Sequence, residues 1–393
     1  MPFGRHSVCV WLVGTVLSVC PRILADEDSR PSAVDARARL LVEQLGAGHY
    51  GDRQRAVRLL CELGLPAIPA LQRGTHRGDL EIRVRCRKIL DHLSRLDHHR
   101  ILDAFVRDPD RDPGRQLPGW NRFRKQVGDD GGTRELMAEM HRKEGRLFRA
   151  WSTGETEFLS QFERRCQEIQ LAYRQGSQRR IDVGSVATLL FFGSDQQIDV
   201  PDSTALALNN LMYYNNLKTE LTQGERKREL RTLLGLWIER PMTNGNYQRL
   251  LLAMRYDLKQ GLVPAIRLVK QKAVGLQAQY AILAIGKLGG REHLPLLQKQ
   301  FQNKSVLSRS VSGGKVVYSC QIRDVALAIS IHITKQDIGK YGFNRLRKNS
   351  TYLYSPNSAG FKNSAERDAA FQRFGAWQRA NTETAKPQPV DSE

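Results

Sequence analysis

Histidines and acids gather at one place in this chain, Asp91-His92 and Asp97-His98-His99. His92 and His99, seven positions apart, share a helix face and with Asp97 nearby suggest a metal. A metal site needs three or four converging ligands with hydrogen-bonded support, and this spacing fits no zinc pattern. The group reads as the solvated end of a helix, and no metal or cofactor is expected. Asp195, Asp199 and Asp202 offer oxygens of the kind Ca²⁺ takes. They lack the dense alternating ligands and closing Glu of an EF-hand loop, so a surface turn is the expectation. There is no Walker A motif, no GxGxxG after a strand, no HExxH and no G-x-S-x-G elbow. Arg77-Gly78-Asp79 spells a cell-attachment tripeptide but falls where a turn between helices is needed. Asn303-Lys-Ser305 and Asn349-Ser-Thr351 match glycosylation acceptors, a pattern that recurs by chance. No catalytic residue is assigned.

Charge is the functional clue that remains. Lys and Arg number 61 against 41 Asp and Glu, a net charge of +20 with an isoelectric point near 10.0. The excess is rich in Arg and spread out: Arg53, Arg55 and Arg58; Arg142, Lys143, Arg146 and Arg149; Arg226, Lys227, Arg228 and Arg231; Arg345, Arg347 and Lys348. A guanidinium matches sulfate, phosphate and carboxylate through its planar fork. Arg83, Arg87 and Lys88, with Arg323 further on, are the candidate ligand-binding residues. With 40 % apolar and 26 % charged residues the chain is a folded one, not collagen-like and not a multi-pass membrane protein.

The elements that must position these charges are helices. Val34, Leu41 and Leu45 mark one apolar face, closed by Gly46-Ala47-Gly48; Ala56, Leu59, Leu60 and Leu63 mark the next, stopped by Gly64. Pro66 to Leu71 opens a short helix, since Pro is tolerated only in a first turn. Ile82, Cys86, Ile89 and Leu93 form the stripe after Gly78-Asp79. The same grammar returns later: Ala281, Ile285, Leu288 and Gly289 align with Ala56, Leu60, Leu63 and Gly64 at one offset. Pro264-Ala265-Ile266 and Pro295-Leu296-Leu297 stand 31 residues apart, one helical hairpin, and Ile322, Val325, Ile329 and Ile333 continue the series. Short one-sided helices bury their faces only by stacking in layers.

Between these blocks, 106–132 is rich in Pro, Gly and Asp and reads as a linker or surface loop. Ser152 and Glu155 suggest a capping box ahead of a face of Leu159, Phe162, Cys166, Ile169 and Tyr173. Val183–Phe192, Leu206–Leu217 and Leu230–Trp237 read as further helices, and Val306–Ser319 as a β-hairpin with Ser312-Gly313-Gly314-Lys315 at its tip.

Met1–Ala25 has a basic start at Arg5 and His6, an apolar run and an Ile23-Leu24-Ala25 cleavage site, the form of a secretory leader. Val19 before Cys20 is too large for a lipoprotein box. The mature chain is expected to be exported to the periplasm or cell envelope, without stable transmembrane insertion. Nucleic acid is then not the expected partner; an acidic protein or an anionic polysaccharide is. Of the cysteines left, Cys86 and Cys166 read as buried filler, with a Cys61–Cys86 bridge as the alternative.

Arg53…Ala56…Leu60…Leu63-Gly64…Ala67-Ile68-Pro69-Ala70-Leu71…Asp79-Leu80-Glu81-Ile82-Arg83 resembles the consensus of the HEAT-like repeat family, with its Asp-x-x-x-Arg joint. With the leader and the ending Arg323-Asp324-Val325-Ala326-Leu327-Ala328…Tyr341-Gly342-Phe343, the chain is similar to exported HEAT-type proteins of planctomycete-like bacteria. The resemblance implies an α-solenoid used for binding, over roughly 34–96 and 256–343. The expected fold is therefore all-α. HEAT-like helical hairpins flank a helical middle region, with one small β-hairpin inserted. Its segments are a leader (1–25), N-terminal repeats (26–105), a linker (106–132), a middle region (133–255), C-terminal repeats (256–348) and a polar tail (349–393). The expected role is a non-catalytic scaffold. The competing class is a lyase-like or hydrolytic enzyme with a pocket in the middle region.

Overall fold

The computed structural model describes residues 33–108, 117–174, 182–241, 247–312 and 315–383. It is mostly helical, with seventeen α-helices and two small two-stranded sheets among the described residues. The chain divides between His99 and Arg100 into two compact units. The expected leader lies outside the described residues. No helix among the described residues is long and apolar enough to cross a membrane.

The first unit is built from α1 (Ala33–Gln44), α2 (Tyr50–Leu63), α3 (Ile68–Gly74) and the first part of α4 (Leu80–Arg107). Its core joins Leu41, Leu45, Ala56, Leu60 and Leu71 to the whole Ile82, Cys86, Ile89, Leu93 stripe. Full burial of a side chain such as Leu60 contributes roughly 1.5–3 kcal/mol. Val34 departs from expectation: it is exposed, and Ala38 and Val42 complete the buried face of α1 instead. α2 ends at Gly64, whose φ of 66° no β-carbon would tolerate cheaply and whose N–H closes on Leu60 and Cys61 carbonyls. Gly74 is needed for a different reason. A β-carbon there would lie 2.5 Å from Cys86 Sγ and 2.9 Å from Val42 Cγ1, so only glycine lets α3 approach α4. Cys61 and Cys86 are both free thiols, so the alternative bridge is not formed; Cys86, Cys166 and Cys320 pack as buried filler.

The second unit begins with Leu102 and Phe105 of α4. The stretch expected as a linker contains a helix, α5 (Trp120–Val127), whose Trp120 and Phe123 are buried. Trp120 meets the Phe105 ring edge-on at 4.7 Å, and apolar anchoring of this kind outweighs the turn signals around it. Helices α6 (Gly131–Ser152), α7 (Phe158–Arg174) and α8 (Val183–Gly193) follow. They are tied together at Glu144, whose carboxylate accepts from Arg165 Nε (2.8 Å) and Ser185 Oγ (2.6 Å). Phe162, Cys166 and Ile169 bury as expected; the Tyr173 side chain lies outside the described residues. The capping box does not form. Ser152 is the last residue of α6 and donates to the Arg149 carbonyl, because the apolar face of α6 carries the helix through it. The stretch Leu206–Leu217 is two helices, α9 (Asp202–Leu211) and α10 (Asn215–Gln223), since the turn at Met212–Tyr214 lets Leu211 and Leu217 both reach the core.

After α11 (Lys227–Glu239) come α12 (Gln248–Arg255), α13 (Leu262–Lys270), α14 (Gly275–Leu288) and α15 (Leu294–Gln298). α13 and α15 repeat the construction of α3. Each follows a 3₁₀ turn and carries a proline near its start, at Pro69, Pro264 and Pro295. α14 packs against α12 and α13 and against α16 (Ile322–Ile333), burying Ala281, Ile285 and Leu288. Between α15 and α16 stands the expected hairpin, β1 (Val306–Ser312) and β2 (Lys315–Gln321), antiparallel with two register shifts. Gly313 and Gly314 of its tip lie outside the described residues.

The largest correction concerns the C-terminal end. Residues 349–383, expected as polar tail, fold onto the hairpin. β3 (Lys348–Asn349) pairs with β4 (Leu353–Tyr354), and α17 (Ser364–Glu383) buries Ala370 and Phe374. α17 is anchored by Arg367, which forks onto Asp324 at 2.8 and 3.1 Å. Its mean composition is polar, and the few apolar residues decide its place. Residues 384–393 lie outside the described part.

Candidate functional site

The hairpin and the segment after α16 build a basic cleft in the second unit. The outer edge of β2 is covered by residues 359–361: Ser319 and Phe361 exchange backbone hydrogen bonds of 3.0 and 3.1 Å, and Cys320 Sγ donates to the Ala359 carbonyl at 2.9 Å. Tyr318, 6 % exposed, donates its hydroxyl to the Ser358 carbonyl at 2.5 Å. Burial pushes the Tyr318 hydroxyl and the Cys320 thiol up, the thiol to about 12, so both stay protonated. Asn357 has a φ of 62°, a left-handed conformation that asparagine accepts better than most residues, and the chain turns there. Ser358 Oγ accepts from the Arg347 N–H and donates to the Ser355 carbonyl, which fixes the 344–347 strap across from β1.

The space enclosed is an open cleft of about 600 Å³. Ser308, Arg309 and Ser310 of β1 form one wall and Asn344 to Arg347 the other. Tyr318, Asn357 and Ser358 close it off. Arg345 lies 4.9 Å over the Tyr318 ring, held by a cation–π contact instead of an acid. Among the described residues no carboxylate lines the cleft, and Arg309, Arg345 and Arg347 form no ion pair. Three exposed arginines without an ionic partner among the described residues, beside serines and asparagines, offer forked donors of the kind an anion accepts. Among the described residues the lining carries no His, Asp or Glu that would activate a serine as a nucleophile.

Of the four candidate ligand-binding residues none lines this cleft, whereas Arg345 and Arg347 of the last basic run do. Arg83 Nη1 donates to the carbonyls of Arg77 (2.9 Å) and Gly78 (2.8 Å), closing the turn before its own helix. Arg53 does the same one hairpin earlier, to Ala47 (2.7 Å) and Gly48 (2.9 Å). The repeated arginine is a turn clamp. Arg87 and Lys88 are exposed on α4 in the first unit. Arg323 is half-buried, donates to Gln321 Oε1 at 2.6 Å and faces the Phe371 ring.

The other motifs resolve as turns. Asp79 caps α4 by accepting from the Glu81 and Ile82 N–H groups, while Arg77 pairs with Glu43. Asp195 pairs with Arg122, and Arg240 donates to the Gly193, Asp195 and Ile198 carbonyls, pinning the acidic loop. Among the described residues no group of three or more His, Cys, Asp or Glu is placed to hold a metal. In the middle region, the buried Glu144 is committed to Arg165 and Ser185.

Arg309 is the residue that sequence reasoning missed altogether; its signal was an arginine at alternate spacing to serines in a strand, facing Arg345-x-Arg347. No family model, no curated protein and no solved structure matches the chain.

Proposed function

We propose that this protein is an exported, non-catalytic scaffold of HEAT-like helical hairpins that binds an anionic polymer or an acidic protein surface. The observation that carries the reading is the cleft of Arg309, Arg345 and Arg347, whose guanidinium groups have no acidic partner among the described residues. A charge that the fold leaves unneutralised at a concave polar surface is available to a ligand. Support for the repeat reading comes from the thrice-used 3₁₀ turn and Pro-bearing helix and from the stacking of α12, α14 and α16. The export reading rests on the form of residues 1–25.

Retention on dextran-sulfate resin tests the function. The wild-type chain is expected to bind at low ionic strength and to elute as salt screens the charges. Reversal of the three arginines to glutamate should lower markedly the salt concentration at which the chain elutes. Equal retention of the reversed variant overturns the assignment of the cleft.

A further inference from the structure

A second feature lies beside the cleft. Tyr247, at the start of α12, stacks on Tyr280 of α14 with centroids 5.2 Å apart and planes 7° from parallel. Tyr352, from the β3–β4 connection, meets Tyr280 edge-on at 5.7 Å. All three are half-buried, and their hydroxyls donate to no protein group among the described residues. A cluster of three tyrosines whose polar tips are left unused is unlike the buried Tyr318 and Tyr256, whose hydroxyls donate to carbonyls.

The two features are joined. The segment 344–358 supplies Arg345, Arg347 and Asn357 to the cleft and Tyr352 to the tyrosines. Lys287 holds that segment in place by donating to the Ser350 (2.8 Å) and Thr351 (2.9 Å) carbonyls. Next to Tyr280, Gln279 is 1 % exposed and donates to Asn357 Oδ1 at 3.0 Å, while its own buried Oε1 has no partner. One helix therefore ties the aromatic cluster to the floor of the basic cleft.

We infer that the ligand of this surface is an acidic pyranose polymer, its sulfate or carboxylate groups held by the three arginines and its sugar rings laid on the tyrosines. This rests on the anion-binding reading of the cleft and names its ligand class. Ser308, Ser310, Asn344 and Asn357 are among the cleft's lining residues, and such hydroxyl and amide groups match a chain of sugar hydroxyls. An acidic peptide has no use for the flat aromatic cluster. A single-stranded nucleic acid also uses aromatic faces and is the competing occupant that the polyuridylate arm below tests.

Titration of the full chain at fixed ionic strength with polygalacturonate, dextran sulfate, polyglutamate and polyuridylate tests the inference. The expected result is that at least one of the two saccharides binds about tenfold tighter than polyglutamate. The two saccharide arms tell carboxylate from sulfate recognition. Tyr280→Ala with Tyr352→Ala should abolish that preference while leaving polyglutamate binding unchanged, which also reports an intact cleft. Tyr280→Phe with Tyr352→Phe should keep it. Equal or tighter binding of polyglutamate or polyuridylate, or a preference that survives the alanine pair, overturns the ligand class and leaves anion binding standing. Binding of none of the four overturns both.

Discussion

Removing Arg367 should cost the second unit far more than an ordinary surface arginine. The side chain is 3 % exposed and its partner Asp324 is fully buried. It forks onto Asp324 at 2.8 and 3.1 Å, and donates to the carbonyl and hydroxyl of Ser319, each at 3.0 Å. Asp324 also accepts from the Gln321 N–H at 2.9 Å at the start of α16. Truncation to Met keeps most of the volume but leaves a carboxylate in the core with one backbone donor. Breaking a buried pair in this way costs about 3–5 kcal/mol, whereas replacing both partners with apolar residues costs much less. Arg367→Met should therefore lower stability by about that amount in urea unfolding, and Asp324→Leu with Arg367→Met should recover most of it.

The pH dependence of the single variant follows with a definite sign. Burial already pushes the Asp324 carboxyl up, against the pull of Arg367. Without Arg367 that push is opposed only by the Gln321 N–H and the charge of Arg323, so the folded state holds the proton at a pH where the unfolded chain has lost it. Stability of the variant then falls as pH rises through the window above the ordinary aspartate value, and is recovered on acidification. A loss under about 1 kcal/mol, or a double variant as damaged as the single, would refute the reasoning, because either result means the pair is not desolvated.

Three further outcomes follow. Trp120→Ala should destabilise the second unit by about 3–5 kcal/mol in the same assay, since Trp120 is 1 % exposed between Phe105 and Arg134. Among the cysteines of the described residues, burial pushes Cys86 up to about 11 and Cys166 and Cys320 to about 12. Alkylation of the native protein at pH 8 should label Cys61 and spare those three until urea is added, and native labelling of Cys166 would contradict the packing. Gly74→Val should expose Cys86 to the same reagent, because its new side chain has to displace Cys86 Sγ.

The hairpin faces around Leu60 and Ile285 were legible because helical periodicity, a stopping glycine and an opening proline agree there. The inserted β-hairpin was legible for a similar reason, with alternation flanking a Gly-Gly tip. Helix α17 was not, because Arg367, Ala370 and Phe374 make a thin stripe in a polar run, and its anchor Asp324 lies 43 positions away. Nor was the place of Ser152 at the end of α6, where local turn chemistry pointed one way and the buried face of α6 the other. The cleft was least legible. Its arginines come from β1 and from the strap at 344–347, brought together by contacts such as the pairing of Ser319 with Phe361 and the bond from Tyr318 to Ser358. Charge counting found the abundance of arginine but not which guanidinium groups lack partners. That depends on the backbone carbonyls Arg53, Arg83 and Arg240 reach once the chain is folded.

The salt dependence of binding to dextran sulfate bears most directly on the cleft. Affinity should fall steeply with salt for the wild-type chain. In Arg309→Gln, Arg345→Gln and Arg347→Gln combined, both affinity at low salt and the slope against log salt should drop, in proportion to about three lost charges. Arg87→Gln with Lys88→Gln, on the exposed face of α4, should leave both unchanged. A cleft variant that keeps the wild-type slope, or an α4 variant that loses it, would contradict the account.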